Sequence, residues 1–143
     1  MNSWRLGFNE NDVMCVFPSY SFVASVYDTF GELVRGGSLD IIPEEKRRNI
    51  DLIEEHFIKN KVTIAYLPPH MAKKLIARDH PDLKLRALLV GGESVRNLAP
   101  GKFPFLNVYA ASETCSLAIM YRMDDPGEIC PIGKPNPNLK AYL

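Results

Sequence analysis

Short apolar runs alternate with amphipathic stretches along most of this chain. Residues 13–17, 62–67 and 85–90 are apolar almost throughout, and residues 38–42 and 105–109 form two further short runs. Continuous apolar runs of this length are typical of strands buried on both faces, as in a parallel sheet. We therefore expect a strand at each of these segments.

The stretches between the runs carry apolar residues at helical spacing. From 22 to 34 the apolar positions recur every three or four residues, and a Gly-Gly pair at 36–37 ends the segment. A second helix is expected after Asn49, whose side chain can cap it, with the apolar residues of 50–57 on one face. A Pro-Pro pair at 68–69 can open a third helix that continues through residue 76.

Strands that alternate with helices of about ten residues predict an α/β fold with a mostly parallel sheet flanked by helices. The pattern changes near residue 124, where Pro and Gly become frequent, and residues 124–143 are expected to form a tail of loops and short strands. We interpret residues 1–143 as a single α/β subdomain. Its first residues resemble the end of a helix and its last the start of a strand, which suggests a segment excised from a longer protein.

Composition and charge argue against several classes of protein. The 17 basic and 17 acidic residues of this 143-residue chain cancel, so we expect neither a nucleic-acid partner nor a membrane surface. The one basic run, Lys46-Arg47-Arg48, is interpreted as a solvated helix start because Glu44 and Glu45 precede it. No segment has the apolar length of a membrane span. Three widely spaced cysteines suit small core residues in a reducing cytoplasm rather than a disulfide framework.

Five short motifs follow one another in an order that indicates a known enzyme family. They are Phe-Val-Ala-Ser-Val-Tyr-Asp-Thr-Phe at 22–30, Tyr-Leu-Pro-Pro at 66–69, Leu-Leu-Val-Gly-Gly-Glu at 88–93, Asn-Val-Tyr-Ala-Ala-Ser-Glu-Thr at 107–114 and Pro-Ile-Gly-Lys-Pro at 131–135. Together they resemble the adenylation domain of nonribosomal peptide synthetases, within the superfamily of adenylate-forming ligases. Each motif alone is weak, but the ordered set is specific and spans nearly the whole chain.

The resemblance implies an enzyme that activates a carboxylic acid with ATP as an acyl-adenylate. The acyl group would then pass to the phosphopantetheine thiol of a carrier-protein domain. ATP or AMP and Mg²⁺ are the implied cofactors of the full-length enzyme. The family's phosphate loop, ribose-binding Asp, hinge and C-terminal lobe with its catalytic Lys have no counterpart in these residues. The chain alone is therefore expected to be inactive, to bind no cofactor tightly, and to have the remaining lobes of the domain as partners.

The resemblance also assigns roles around the nucleotide. Glu113 would be the catalytic carboxylate that holds magnesium, and Ser112 would donate its hydroxyl to the phosphate. Tyr109 would stack on the adenine, Asn107 would belong to the same site, and Gly92 would let the base approach the backbone. Such residues suit a reaction that builds negative charge on phosphorus oxygens. Without the family, a lone Glu after a strand is most often a surface residue, and a Gly-Gly pair most often a tight turn.

A pocket for the acid maps by resemblance onto nine positions, most of which could instead be core residues: Val23, Ala24, Tyr27, Tyr66, Leu89, Gly91, Val108, Ser116 and Leu117. The family's amino-acid-activating members have Asp where this chain has Val23, and that Asp pairs with the substrate ammonium. Burying an ammonium without such a partner is costly. We therefore expect an acid without a free α-amino group, such as a 2-oxo, 2-hydroxy or aryl acid. Ala110-Ala111 in place of Gly-Pro, and Ser112 in place of Thr, are the other departures.

Two other interpretations remain open on the sequence. An acyl- or aryl-CoA ligase belongs to the same superfamily. A stand-alone α/β domain for nucleotide binding or protein interaction would need no catalysis, but it would need complete ends. A carrier-protein domain downstream would favour the synthetase over the CoA ligase. His56, His70 and His80 show no partner spacing and are expected at the surface.

Overall fold

The computed structural model describes residues 7–98, 102–114, 116–123 and 127–142, without the side chains of 116 and 127–129. Within these residues, seven strands form one mixed sheet and two form a small antiparallel sheet. In chain order the strands are β1 (Val13–Val16), β2 (Ser38–Ile41), β3 (Ile64–Leu67), β4 (Ala87–Gly91), β5 (Arg96–Leu98), β6 (Phe105–Ala111), β7 (Ser116–Met123), β8 (Gly127–Ile129) and β9 (Lys134–Pro135).

The larger sheet has the strand order β2-β1-β3-β4-β6-β7-β9. Its first five strands are mutually parallel, and β7 and β9 are added antiparallel. The predicted α/β class with a mostly parallel sheet is confirmed. The chain steps from β1 outward to β2 and then returns past β1 to β3, so the direction of winding reverses between β1 and β3. In open α/β sheets, ligands bind at the carboxyl ends of the strands near such a reversal.

In the described part of the chain, three α-helices connect the parallel strands, and they occupy the predicted segments. They are α1 (Val23–Leu33), α2 (Ile50–Lys59) and α3 (Pro69–Ile76). The side chain of Asn49 accepts a hydrogen bond from the backbone N–H of Asp51 at 2.9 Å and so caps α2. Pro69 takes the first position of α3, where its missing N–H leaves no helical bond unmade. Among the described residues, none of these helices has the length and apolarity that a bilayer crossing requires.

The sheet is packed on both faces. Successive residues of β4 point to opposite sides, so Leu88 and Leu89 belong to two separate buried clusters. Phe57 of α2 and Leu75 of α3 share the cluster of Leu88, whereas Tyr27 of α1 shares that of Leu89. Helices α2 and α3 therefore cover one face of the sheet, and α1 covers the other.

Helix α1 turns polar residues toward the sheet and apolar residues outward. Ser25, Asp28 and Glu32 are buried on its inner side. The outer stripe of α1 is 42–67% exposed and consists of Phe22, Val26, Phe30, Leu33 and the following Val34. Helical spacing thus predicts the helix correctly but does not predict which face is buried. An exposed apolar stripe of this kind marks an interaction surface.

The second half of the chain contains strands that the apolar runs leave unassigned. β7 is eight residues long and pairs along most of its length with β6. β5 pairs with β8 in the small sheet, and β9 pairs with β7 at the edge of the larger one. The described part of the expected tail thus contains β8 and β9, while its boundary at residue 124 stays a prediction. Two short 3₁₀ turns, Glu44–Lys46 and Ser112–Thr114, complete the described elements.

Candidate functional site

Two adjoining cavities open at the carboxyl ends of the parallel strands. The main cavity has a volume of about 500 Å³ and is lined by residues that follow β1, begin α1, end β3 and β4, and lie on β6 and β7. The side cavity, of about 360 Å³, lies beside β4 and β6 and reaches the segment after β8. Gly92, Glu93, Val108 and Ala110 line both cavities. Two ligands, or two parts of one ligand, can therefore meet at this boundary.

Most of the residues predicted to form the acid pocket lie around the main cavity. Its lining includes six of the nine: Val23, Ala24, Tyr66, Gly91, Val108 and Leu117. Tyr27 and Leu89 do not line it, because both are buried in the cluster between α1 and the sheet. The ring of Tyr27 packs on that of Phe8, with centroids 6.1 Å apart. The side chain of Ser116 lies outside the described residues.

A hydrogen bond joins the ends of β3 and β4 in the wall of the main cavity. The hydroxyl of Tyr66 donates to the carbonyl oxygen of Gly91 at 2.8 Å. Burial, with the nearby charges of Asp28 and Glu93, raises the pKa of Tyr66 to about 12, so the hydroxyl remains a neutral donor at physiological pH. Gly92 follows with a φ of +87°, a conformation that suits glycine, and turns the chain between the two cavities.

Two charged residues, Arg47 and Glu93, contribute to the described lining of the main cavity. The sequence pattern assigns Arg47 to a solvated helix start, but its side chain is only 17% exposed. It follows the 3₁₀ turn Glu44–Lys46, and its Nε–H donates to the carbonyl oxygen of Ile42 at 3.4 Å. The solvated interpretation is therefore wrong for Arg47. No local signal distinguishes it from Arg48, which is exposed.

The side cavity is built around Asn107 of β6. This residue is 5% exposed, and its amide N–H₂ group donates to the carbonyl oxygens of Cys130 at 3.4 Å and Pro131 at 2.9 Å. No donor among the described residues bonds to its Oδ1. Tyr109, two residues further along the strand, also lines the cavity, and its side chain is 50% exposed. The cavity thus offers one amide acceptor and one accessible aromatic ring.

Ser112 and Glu113 lie on the 3₁₀ turn that ends β6, and both are exposed. Thr114 closes this turn, because its hydroxyl donates to the carbonyl oxygen of Ala111 at 2.8 Å. The turn begins two residues after Ala110, which lines the two cavities, but neither Ser112 nor Glu113 is in the described lining of either one. Among the described residues, no three His, Cys, Asp or Glu side chains cluster to hold a metal ion by themselves.

The prediction that the three histidines lie at the surface is wrong for two of them. His56 is 6% exposed, and its Nε2 lies 2.7 Å from a carboxylate oxygen of Asp40. His80 is 8% exposed and contacts Glu54 and the carbonyl oxygen of Leu75. The third, at position 70, is exposed. Partners that come from other elements cannot be seen in local spacing, which explains the error.

Two acidic residues on the inner side of α1 lack full hydrogen bonding among the described residues. Asp28 has one unpartnered oxygen and Glu32 has two. Burial raises the pKa of Asp28 well above its ordinary range. Burial, together with the negative charge of Asp12, raises the pKa of Glu32 to about 7. Asp28 lies one helical turn from Ala24, so a carboxyl group with a raised pKa is buried close to the main cavity.

Comparison with known proteins supports the family that the five ordered motifs indicate. A family model described as AMP-binding enzyme matches residues 1–143. Bacitracin synthase 1 of Bacillus licheniformis is 28% identical over 134 residues, which are 94% of this chain and 2% of that protein. The chain is therefore similar to a small part of a much longer protein. These matches confirm the resemblance that the ordered motifs predict.

Solved structures agree with this assignment. The nonribosomal peptide synthetase FmoA3 superposes with a TM-score of 0.81 at 25% identity, over 92% of this chain and 16% of that one. An artificially fused adenylation–PCP di-domain, NpsA-ThdA from Klebsiella oxytoca, superposes with a TM-score of 0.77 over 93% of this chain and 27% of that one. The identity to the second structure is 20%, so it supports the fold alone.

Proposed function

Because this chain belongs to the family of AMP-binding enzymes, we propose that it forms part of an adenylation domain of a nonribosomal peptide synthetase. The full-length protein would join a carboxylic acid to ATP. One carboxylate oxygen forms a bond to the α-phosphorus, the bond from that phosphorus to the bridging oxygen breaks, and pyrophosphate leaves. The acyl group of the resulting adenylate would then pass to the phosphopantetheine thiol of a carrier domain.

The observation that carries this proposal is the pair of cavities that meet at the ends of β4 and β6. The main cavity is lined largely by apolar side chains and suits the body of an organic acid. The side cavity offers the amide of Asn107 and the ring of Tyr109, which suit a nucleobase. The shared boundary at Gly92 would bring the acid and the nucleotide together, as bond formation between them requires.

Asn107 supports a preference for adenine at the side cavity. Its N–H₂ group already donates to the carbonyl oxygens of Cys130 and Pro131, so the amide oxygen is what it can offer a base. An acceptor pairs with the 6-amino group of adenine and not with the 6-oxo group of guanine. The exposed ring of Tyr109 can stack on the base, and Gly92 leaves the backbone accessible to it. We therefore propose ATP as the nucleotide.

Ser112 and Glu113 suit the phosphate end of the site. Magnesium binds proteins through one or two carboxylates while substrate phosphates and water complete its octahedron. A single exposed carboxylate at Glu113 fits this requirement, and the ion would supply positive charge to the phosphate oxygens. The hydroxyl of Ser112 can donate a hydrogen bond to a phosphate oxygen. Together the two residues would stabilise the negative charge that develops as pyrophosphate leaves.

Val23 supports an acid without a free α-amino group. It stands at the first position of α1 and lines the main cavity with an apolar side chain. An ammonium placed there would lose water without gaining an acceptor from this residue, which is unfavourable. Asp28 is absent from the described lining of the cavity, and the wall hydroxyl of Tyr66 is already used by Gly91. We propose a 2-oxo, 2-hydroxy or aryl acid.

Two kinds of partner follow from this proposal. The outer stripe of α1 would be covered by the remaining lobes of the adenylation domain, since an apolar helix face needs a covering surface. The carrier domain would receive the acyl group. Cys15 and Cys130 are free thiols, in keeping with a reducing cytoplasm as the proposed location.

The test is an acid-dependent exchange of pyrophosphate into ATP by the full-length protein, with a panel of amino, 2-oxo, 2-hydroxy and aryl acids. We expect exchange with ATP and not with GTP. Glu113→Gln should lower kcat by about a hundredfold or more, while Glu45→Gln, at an exposed position away from the cavities, should leave it unchanged. Transfer of the acyl group to free coenzyme A instead of to a carrier domain would indicate a CoA ligase. Absence of exchange with every acid would refute the proposal.

A further inference from the structure

Arg47 is a cation at the wall of a mostly apolar cavity, and its known contacts do not neutralise it. Its Nη1 lies 3.3 Å from a carboxylate oxygen of Glu44, but that carboxylate is 75% exposed. Ion pairs with so exposed a partner are weak because water screens them. Its other polar contact among the described residues is the long hydrogen bond to the Ile42 carbonyl oxygen. Among the described residues, the second terminal nitrogen, Nη2, has no acceptor.

Among the described residues, no acidic side chain of the sheet makes an ion pair with Arg47. Asp40 of β2 instead accepts a hydrogen bond from Asn60 at 2.8 Å and lies 2.7 Å from Nε2 of His56. Asp28 lies on the inner side of α1, where burial raises its pKa, and it makes no ion pair with Arg47 among the described residues. Glu93 lines the same cavity but follows β4, on the side of the nucleotide. Arg47 therefore presents its positive charge, and the N–H donors of Nη2, to this part of the cavity.

The position of Arg47 places it far from the reacting centre. It follows β2, whereas Gly92 and Glu93 follow β4, and the strand order puts three strand spacings between β2 and β4. At roughly 4.8 Å per spacing, strands β2 and β4 are about 14 Å apart. The carboxylate that reacts with ATP belongs at the Gly92 end, beside the side cavity. A group that meets Arg47 must lie at the opposite end of the acid.

Resting on the proposed function, we infer that the acid is a dicarboxylic acid, whose second carboxylate is bound by Arg47. The planar guanidinium of arginine matches a carboxylate with two parallel N–H donors, and such bonds are stronger than neutral ones. A carboxylate is the ligand that neutralises this cation without leaving a buried charge unpaired. The apolar stretch between Arg47 and Gly92 suits the carbon skeleton that separates the two carboxylates. Arg47 is thus a specificity-determining residue at the far end of the main cavity.

The test compares matched acids in the exchange assay on the full-length protein. 2-Oxoadipate is compared with 2-oxohexanoate, and terephthalate with benzoate. We expect the dicarboxylate of at least one pair to be preferred by roughly tenfold to a hundredfold in kcat/KM. Arg47→Met should remove that preference mainly by raising KM for the dicarboxylate, with a much smaller change in kcat/KM for the monocarboxylate. Arg47→Lys, which keeps the charge but loses the planar donor pair, should give an intermediate loss.

Arg48→Met is the matched control, because Arg48 is the exposed neighbour and should leave both acids unaffected. A preference of the unmodified protein for monocarboxylates would overturn the inference while leaving the proposed function standing. An equal loss for both acids in Arg47→Met and Arg47→Lys would show a structural role and would also overturn it. If no acid supports exchange, the proposed function itself fails, and this inference with it.

Discussion

A Cβ on residue 91 would lie only 2.2 Å from the carbonyl oxygen of Val108, so Gly91 and Val108 meet backbone to backbone between β4 and β6. Both residues line the main cavity. The contact explains why glycine ends β4, because even a methyl group must push the two strands apart. The close approach of β4 and β6 in the wall of the main cavity thus depends on the absence of a side chain at position 91.

Gly91→Ala should therefore destabilise the chain. Because the clash is with backbone and not with a movable side chain, we expect a loss of about 1–3 kcal/mol in the free energy of unfolding, measured by urea denaturation. Gly31→Ala is the control, since a Cβ there would be 3.6 Å from its nearest neighbour and would favour the helix. A Gly91→Ala variant as stable as the unmodified chain would contradict the close contact.

The ion pair between Asp12 and Arg86 should be important for stability. Asp12 is 3% exposed, and its carboxylate accepts hydrogen bonds from Arg86 Nε at 2.6 Å and from the hydroxyl of Thr63 at 2.9 Å. Arg86→Met would leave that carboxylate buried and unpaired. We expect the free energy of unfolding, measured by urea denaturation, to fall by about 3 kcal/mol. This is the lower end of the range for buried ion pairs, because Arg86 is 35% exposed.

Two comparisons separate this buried pair from an ordinary surface contact. Arg86→Met combined with Asp12→Asn should recover part of the loss, because the unpaired charge is then gone. Lys102→Met breaks an ion pair in which both side chains are well exposed, and it should change stability little. Equal effects of Arg86→Met and Lys102→Met would show that burial of Asp12 contributes nothing.

Glu32 should make the chain less stable as the pH rises. Its pKa is raised from an ordinary 4.5 to about 7, so the folded state holds the proton more tightly than the unfolded state. The stabilisation is fully present below about pH 4.5 and is lost as the pH rises to 7. Asp28, whose pKa is also raised, acts in the same direction. Urea unfolding at a series of pH values measures how steeply the free energy of unfolding falls as the pH rises.

Glu32→Gln keeps the size of the side chain and removes its ionisation, so it should flatten that pH dependence and raise stability at pH 8. Glu45→Gln, at an exposed position, should leave the profile as it is. The idea of a buried acid would be wrong if both variants followed the profile of the unmodified chain.

Val23→Asp should shift the preference of the full-length protein toward an α-amino acid. The new carboxylate would stand at the start of α1 and line the main cavity, where it can pair with an ammonium. The measurement is exchange of pyrophosphate into ATP with each amino acid and its 2-oxo counterpart. Val23→Asn is the control, because it has similar size without the charge. A preference of the unmodified protein for any free α-amino acid would contradict the role given to Val23.

Local signals in the sequence determined the elements of the parallel sheet and the order of the motifs. Apolar runs predict β1, β3 and β4 because a strand covered on both faces must be apolar on both. Asn49 and Pro69 mark helix starts because capping depends on neighbouring backbone groups alone. The ordered motifs likewise predict the family, since each one is read from contiguous residues.

Only the tertiary structure decided which face of each element has a partner. Helical spacing is the same whether the apolar stripe of α1 faces the sheet or, as here, faces outward with Asp28 and Glu32 inside. Strand β7 pairs with β6, and the periodicity of a single segment cannot show which strand is its partner. Arg47 and Arg48 are adjacent and chemically alike, yet one lines the main cavity and the other meets solvent. Burial and charge pairing are set by residues distant in the chain, so they appear only once the chain has folded.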